Sequence, residues 1–252
     1  MEKYKLRIQC GRSSPEDPKK VSIPGELIVY PGSKKLLLCV TGFIGDFRDY
    51  LPYFAEKLGE DFNIYLTELR RKGWANIDNC SRDLTEIDKR IRELLGIDEV
   101  TYIGHSAGMN AIAQSRKFNF LKIKGFYGIC AYPSLGDTRT RNIDLEKRGL
   151  KQRTVDLLGK LNFGPFGSEL KECQFEEPVR FAIAGNDELL RTYDPKILER
   201  FRKYFRRNPK ESEIVFDEMN HCFNYTPWNL KPFNRDKPVL LIEDIKNFVD
   251  SI

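Results

Sequence analysis

Short apolar runs alternate along this chain with stretches in which apolar residues recur every three or four positions. A short apolar run bounded by turn residues is the mark of a buried strand, and the three-to-four repeat is the stripe of an amphipathic helix. Lys5 to Gln9 alternates weakly and is expected to be an edge strand. Glu26 to Tyr30, after a Pro-Gly turn, is expected to be a second strand, and Pro31-Gly32-Ser33 a turn. Lys35 to Thr41, closed by Gly42, reads as a buried strand. Phe62 to Leu66, Glu99 to Ile103, Ile123 to Ala131, Val179 to Ala184 and Glu213 to Phe216 complete the strands. Helical spacing predicts helices over Asp49 to Leu58, Cys80 to Leu95, Met109 to Lys117, Pro195 to Arg206 and Val239 to Val249. The clearest is Cys80 to Leu95, where Leu84, Ile87, Ile91, Leu94 and Leu95 share a face and Gly96 stops the helix.

This alternation predicts an α/β fold, a mostly parallel twisted sheet with helices on both faces. The opening strands have no helix between them, so one edge of the sheet is expected to be antiparallel. Residues 132–177 break the rhythm. They are polar, carry charges of both signs and hold a Gly-Pro-Phe-Gly turn at 164–167. They read as a short cap insertion over one end of the sheet, within a single domain spanning 1–252.

Composition narrows the partners. The 252 residues are 40% apolar, enough for a sizeable core. No span approaches the ~20 apolar residues of a membrane helix. Met1-Glu2-Lys3-Tyr4-Lys5 is not followed by an apolar stretch like a signal peptide's, so a cytoplasmic protein with no membrane span is expected. The six cysteines, Cys10, Cys39, Cys80, Cys130, Cys173 and Cys222, form no C-x-x-C pair, and free thiols are expected. The net charge is only +5. The densest basic cluster, Arg200, Arg202, Lys203, Arg206, Arg207 and Lys210, lies on a predicted helix whose other face is Ile197, Leu198, Phe201, Tyr204 and Phe205. That is the pattern of a solvated helix face, and no nucleic-acid partner is expected. Nothing in the pattern fixes an oligomeric state.

One motif carries chemistry. Gly104-His105-Ser106-Ala107-Gly108 follows an apolar strand and opens a helix, the setting of a nucleophile elbow. The chain must reverse there within a few residues, which strains the serine backbone, and side chains at the two glycine positions would collide with the neighbouring strand and helix. Ser106 Oγ would then stand at the carboxyl edge of the sheet, where open α/β sheets bind ligands. A serine hydroxyl needs a base. The chain has two histidines; His105 adjoins the serine and points elsewhere on such a turn, which leaves His221, in the loop after the strand ending at Phe216. Asp187, just past the strand ending at Ala184, is the best candidate for the carboxylate that orients the imidazole, with Glu188 and Asp194 as rivals and Asp217 a weaker one. The oxyanion hole would draw one N–H from Ala107 and one from Phe43, in the loop Thr41-Gly42-Phe43-Ile44-Gly45. No metal and no organic cofactor is implied.

On Gly104 to Gly108, Gly185-Asn186-Asp187 and Asn220-His221, the chain resembles an α/β-hydrolase of the small capped esterase and lipase type, akin to monoacylglycerol lipases and serine aminopeptidase-like hydrolases. The similarity runs from about Glu26 to Val249. It implies Ser106 as nucleophile, Asp187 as acid, His221 as base and a cap in the interval 132–177. Thr41-Gly42 stands where the family often has His-Gly, and Arg70-Arg71-Lys72-Gly73-Trp74 where it commonly has Arg-Gly-His-Gly. The step from Gly185 to Asp187 is one residue shorter than is common in the family. The expected reaction is hydrolysis of a small carboxylic ester or thioester through an acyl-enzyme on Ser106. An acyltransferase, thioesterase or peptidase would use the same triad, and a non-catalytic binding protein could keep the fold. The interval 132–177 also holds Arg139, Arg141, Lys147, Arg148, Lys151 and Arg153, which either steer an anionic substrate or form a solvated surface balanced by Glu169, Glu172, Glu176 and Glu177.

Overall fold

Leu36–Val40 is apolar at every position because both of its faces are covered. Leu36, Leu38 and Val40 point into one core, and Leu37 and Cys39 into the other. The computed structural model describes residues 1–12, 20–42, 57–58, 61–70, 77–115, 122–131, 175–185, 211–216 and 237–252. Among them the strands are β1 (Glu2–Arg12), β2 (Lys20–Val29), β3 (Leu36–Val40), β4 (Asn63–Thr67), β5 (Glu99–His105), β6 (Lys122–Ile129), β7 (Val179–Ala184) and β8 (Glu211–Phe216). Helix α1 is Ile77–Leu95, α2 is Ala107–Ser115 and α3 is Lys237–Asp250.

The strands form one sheet in the order β1-β2-β4-β3-β5-β6-β7-β8. From β4 across to β8 every pairing is parallel, while β1–β2 and β2–β4 are antiparallel, as the missing helices at the start of the chain require. Leu84, Ile87 and Ile91 of α1 and Met109, Ala111 and Ile112 of α2 close one core on Tyr65, Tyr102, Phe126 and Phe181. Leu241, Ile242, Ile245, Phe248 and Val249 of α3 close the other on Ile64, Ile103, Tyr127 and Ile129. The expected helix over 49–58 is described only at residues 57–58, and the expected helix over 195–206 lies outside the described residues, as does 132–174 of the cap interval. At the end of that interval Phe175 is buried, its ring 5.0 Å from that of Phe126.

Two expectations are corrected. Pro24-Gly25 is not a turn but lies within β2. Pairing with β4 starts only at Gly25, so Pro24 stands beyond that ladder, where a missing N–H is tolerated. The Tyr65 hydroxyl occupies the space over Gly25, 2.0 Å from where a Cβ would lie, so a side chain there would have to displace the buried Tyr65 ring. Leu94, read as part of the buried face of α1, is 54% exposed. The inner face of α1 instead carries three charged residues, Asp83, Asp88 and Arg92, all buried. The turn at 31–33 is as expected: Ser33 N–H donates to Tyr30 O (3.1 Å), and Gly32 takes the positive φ (90°) of a type II turn. Gly96 caps α1 at φ 62°, with Ile97 N–H on Arg92 O (3.2 Å).

Among the described residues the buried charges of the two cores form ion pairs. Arg70, just beyond β4, grips Asp83 with two parallel bonds of 2.5 Å. Asp83 also takes the Gly11 N–H, tying the end of β1 to α1. Arg92 bonds Asp88 (2.7 Å) beside the Tyr102 phenol. On the opposite face Asp244 of α3 accepts the Tyr127 hydroxyl (2.6 Å) and pairs with Arg180 (2.6 Å), so one carboxylate joins β6, β7 and the last helix. Burial, with Asp244 beside it, pushes the Tyr127 phenol well up, which keeps it a donor. Cys10, Cys39, Cys80 and Cys130 are buried thiols outside any disulfide, and burial lifts Cys10 to about 12. No helix among the described residues is long and apolar enough to cross a membrane.

Burial raises the Asp83 carboxyl above its ordinary range, although Arg70 pulls it down. A raised folded pKa favours folding below the unfolded value, and that contribution is lost as pH rises through the folded value. The ionised pair therefore adds little net stability at neutral pH. Asp83→Ala, which strands the Arg70 charge, should cost about 3–5 kcal/mol. The volume-matched double variant Arg70→Met/Asp83→Leu should recover most of that loss in denaturant unfolding at neutral pH. A double variant as unstable as the single one would contradict this balance.

Candidate active site

β5 ends at His105 and α2 begins at Ala107, so Ser106 alone makes the turn between them. Its φ is 53°, in the left-handed region that side chains other than glycine seldom adopt. The reversal brings backbone so close that a Cβ on Gly104 would lie 2.5 Å from Met109 Cα. One on Gly108 would lie 2.4 Å from Val40 O and 3.0 Å from Thr41 O. These contacts are with backbone and cannot relax cheaply. Ser106 N–H donates to Ile129 O (2.8 Å) and Ser106 O accepts Met109 N–H (3.1 Å), so the turn is fixed to the next strand and to its own helix. From Val100 through Ala113 only Ser106 is not buried. Gly104, His105, Ser106, Ala107 and Gly108 together make this tight strand-to-helix turn, with His105 buried beside the serine (6% exposed).

The loop after β3 closes on the same point. A Cβ on Gly42 would lie 3.1 Å from Ser106 Cβ and 3.4 Å from Ser106 Oγ. The loop expected to line the oxyanion hole thus starts beside the serine at Gly42. Thr41 N–H is taken by Thr67 O (3.1 Å). Ala107, as the first residue of α2, has no intrahelical acceptor for its N–H, and the first turn of α2 holds no acidic residue. The positive end of that helix therefore faces the serine, with no acidic residue in the helix's own first turn.

Further backbone bonds lock the neighbouring strand ends together: Cys130 N–H on Ala182 O and Gly185 N–H on Phe216 O, both 2.9 Å. β5, β6, β7 and β8 are mutually parallel, so the chain segments after Ser106, Ala131, Gly185 and Phe216 all leave from one edge. Phe43, Asp187 and His221 lie outside the described residues, as do Glu188, Asp194 and Asp217. Asp187 follows two positions after Gly185 and His221 five after Phe216. Cys130 has a positive φ (47°), a feature that nothing in the sequence signals. Among the described residues no group of three or more His, Cys, Asp and Glu could hold a metal ion.

No protein-family model matches the chain, and no curated protein matches it in sequence. Solved structures match it in shape along nearly its whole length. A Pyrococcus furiosus esterase superposes with a TM-score of 0.69 at 14% identity, over 99% of this chain and 91% of that one. The chain has the α/β-hydrolase fold. A thermophilic esterase from Thermogutta terrifontis, solved with malate bound, is similar to this α/β-hydrolase fold with a TM-score of 0.62 at 13% identity, over 98% of each chain. The dienelactone hydrolase from Anabaena variabilis also gives 0.62 at 13%, over 98% of this chain and 95% of that one. Identities this low establish the α/β-hydrolase architecture and leave the chemistry to the residues at the turn.

Because Gly104 and Gly108 face backbone, Gly104→Ala and Gly108→Ala should each destabilise the fold by about 1–3 kcal/mol. A shift of the urea midpoint to lower concentration checks this. An unshifted midpoint would mean that the turn relaxes more readily than its contacts imply.

Proposed function

We propose that the protein is a serine hydrolase that cleaves a small carboxylic ester or thioester through an acyl-enzyme on Ser106. The observation that carries this reading is the part-exposed Ser106, held at φ 53° at the end of β5 with the positive end of α2 behind it. A side chain held in a sparsely populated backbone state, alone in reaching solvent within a buried stretch, is the arrangement an exposed nucleophile requires.

The sheet geometry supports His221 and Asp187 as its partners. Strands lie ~4.8 Å apart, so the end of β8 is about 14 Å from the end of β5, and that of β7 about 10 Å. An extended chain covers about 3.4 Å per residue. The five residues from Phe216 to His221 therefore reach about 17 Å, and the three from Ala184 to Asp187 about 10 Å, enough in each case to return to Ser106. In this reading His221 takes the Ser106 proton as Oγ attacks the carbonyl, and Asp187 holds the imidazole in the right tautomer. The Ala107 and Phe43 N–H groups receive the oxyanion; Thr41 cannot supply the second donor because Thr67 occupies its N–H. His221 then protonates the leaving group and activates water for deacylation. Residues 132–177 form a cap over this edge, within the single domain.

Short p-nitrophenyl esters should be turned over, with Ser106→Ala reducing kcat at least about 10³-fold at unchanged folding. Equal turnover by Ser106→Ala would end the proposal. A fluorophosphonate probe should label the native chain and fail to label Ser106→Ala, as mass spectrometry of the intact protein would show. The imidazole acts as base only when neutral, so kcat/KM should rise with pH through the histidine range, near ~6.5 before perturbation. Asp187→Asn should lower kcat by a factor of about 10³ or more; full activity in that variant would pass the acid role to Glu188 or Asp194.

A further inference from the structure

Two residues other than glycine have a positive φ among the described residues, Ser106 at 53° and Cys130 at 47°. They stand side by side. His105 pairs with Ile129 in the β5–β6 ladder, so the next residue of each strand, Ser106 and Cys130, is where each chain turns away. Between them is a single peptide unit, Ile129–Cys130. Its carbonyl accepts the Ser106 N–H at 2.8 Å, and its N–H donates to Ala182 O at 2.9 Å. The unit is thus held from the elbow on one side and from β7 on the other.

The φ of Cys130 is the rotation that relates this peptide plane to the rest of the residue. If Cys130 moved to an ordinary negative φ, one of two things would follow. The plane would turn, breaking the bonds to Ser106 and Ala182, or the plane would stay and the chain from Ala131 onward would leave in another direction. Cys130 is 1% exposed and Ala131 is 2% exposed, so the second course is opposed by packing. Strain at a residue persists only when its surroundings over-determine it. Here those surroundings include the amide of the proposed nucleophile.

We propose that Cys130 is a positioning residue: its left-handed backbone aims the Ile129 carbonyl at the Ser106 amide and so sets the elbow. The thiol takes no part. The proposal rests on the reading of Ser106 as nucleophile for its kinetic consequence, but not for its structural one.

The test separates backbone conformation from side chain. Cys130→Val introduces a β-branched residue that resists positive φ. It should lower kcat on p-nitrophenyl esters about 10-fold or more with KM within about 2-fold, because a displaced nucleophile loses rate rather than binding. Cys130→Gly, which takes positive φ freely, should keep kcat within about 2-fold. Hydrogen exchange at the Ser106 amide gives a readout that needs no catalysis: protection should fall in Cys130→Val and hold in Cys130→Gly. Should Cys130→Val fail to fold, Cys130→Gly should protect the Ser106 amide better than Cys130→Ala does. Native kcat or native protection in Cys130→Val, a Gly variant as impaired as the Val one, or equal protection in the Gly and Ala variants would overturn the proposal. If the native chain hydrolyses no ester and takes up no fluorophosphonate, the hydrolase reading fails, and the exchange comparison still decides the role of Cys130.

Discussion

A left-handed backbone at a serine is the constraint on which the architecture around β5 depends. Such a conformation costs a residue with a side chain roughly 1–2 kcal/mol. It persists because everything close to it is shaped to fit. Gly104 leaves room for the backbone of Met109, and Gly108 leaves room for the carbonyls of Val40 and Thr41. Gly42 leaves room beside the serine side chain, where a Cβ would lie 3.1 Å from Ser106 Cβ. The amide that would otherwise be orphaned by the turn is taken by Ile129. A strand-to-helix connection of ordinary geometry would need none of these four accommodations.

The sheet supplies the rigidity that such a turn needs. Its central strands are covered on both faces, and the two cores differ in how their helices are attached. On the α1 side, polar bridges sit inside the apolar layer: Arg70 with Asp83, and Arg92 with Asp88. On the α3 side, Asp244 ties the final helix to β6 and β7 through Tyr127 and Arg180. Bridges of this kind add little net stability, because both charges give up water to form them. Arg92 and Asp88 both belong to α1 and move together, but Arg70–Asp83 and Asp244 with Tyr127 and Arg180 join helix to sheet, so a shifted helix would leave a charge buried without its partner. The helix that follows His221 in the chain is thereby held in one place.

Most of the sheet was legible in the amino-acid pattern because strands buried on both faces have little freedom in composition. Val179–Ala184 is observed with the ends expected, and β3, β4 and β5 differ from expectation by one or two residues at their ends. Glycine was the harder residue to read. At Gly25 it marks a close approach by Tyr65 rather than a turn, and the two roles have the same local signature. Leu94 was placed on the wrong side of α1 because apolar spacing ignores the charged residues, which here are the ones turned inward. The tight strand-to-helix turn at Ser106 was readable because its geometry demands particular small residues at set places. The turn at Cys130 was not, since it depends on contacts between segments far apart in the chain. Asp187, His221 and Phe43 stand outside the described residues, and the roles proposed for them are read from the order of the chain.

The β1 strand has a different bearing on the molecule. Among the described residues it pairs on one side only, with β2, and so stands at the rim of the sheet. Along it Lys3, Lys5 and Arg7 alternate with Tyr4, Leu6 and Ile8. Two copies meeting antiparallel about Lys5 would set Lys3, Lys5 and Arg7 of one against Arg7, Lys5 and Lys3 of the other. An open ladder is the usual template for growth into fibrils, and cationic side chains are a common guard against it. The protein therefore has an electrostatic barrier against self-templated stacking, one that added salt weakens by screening.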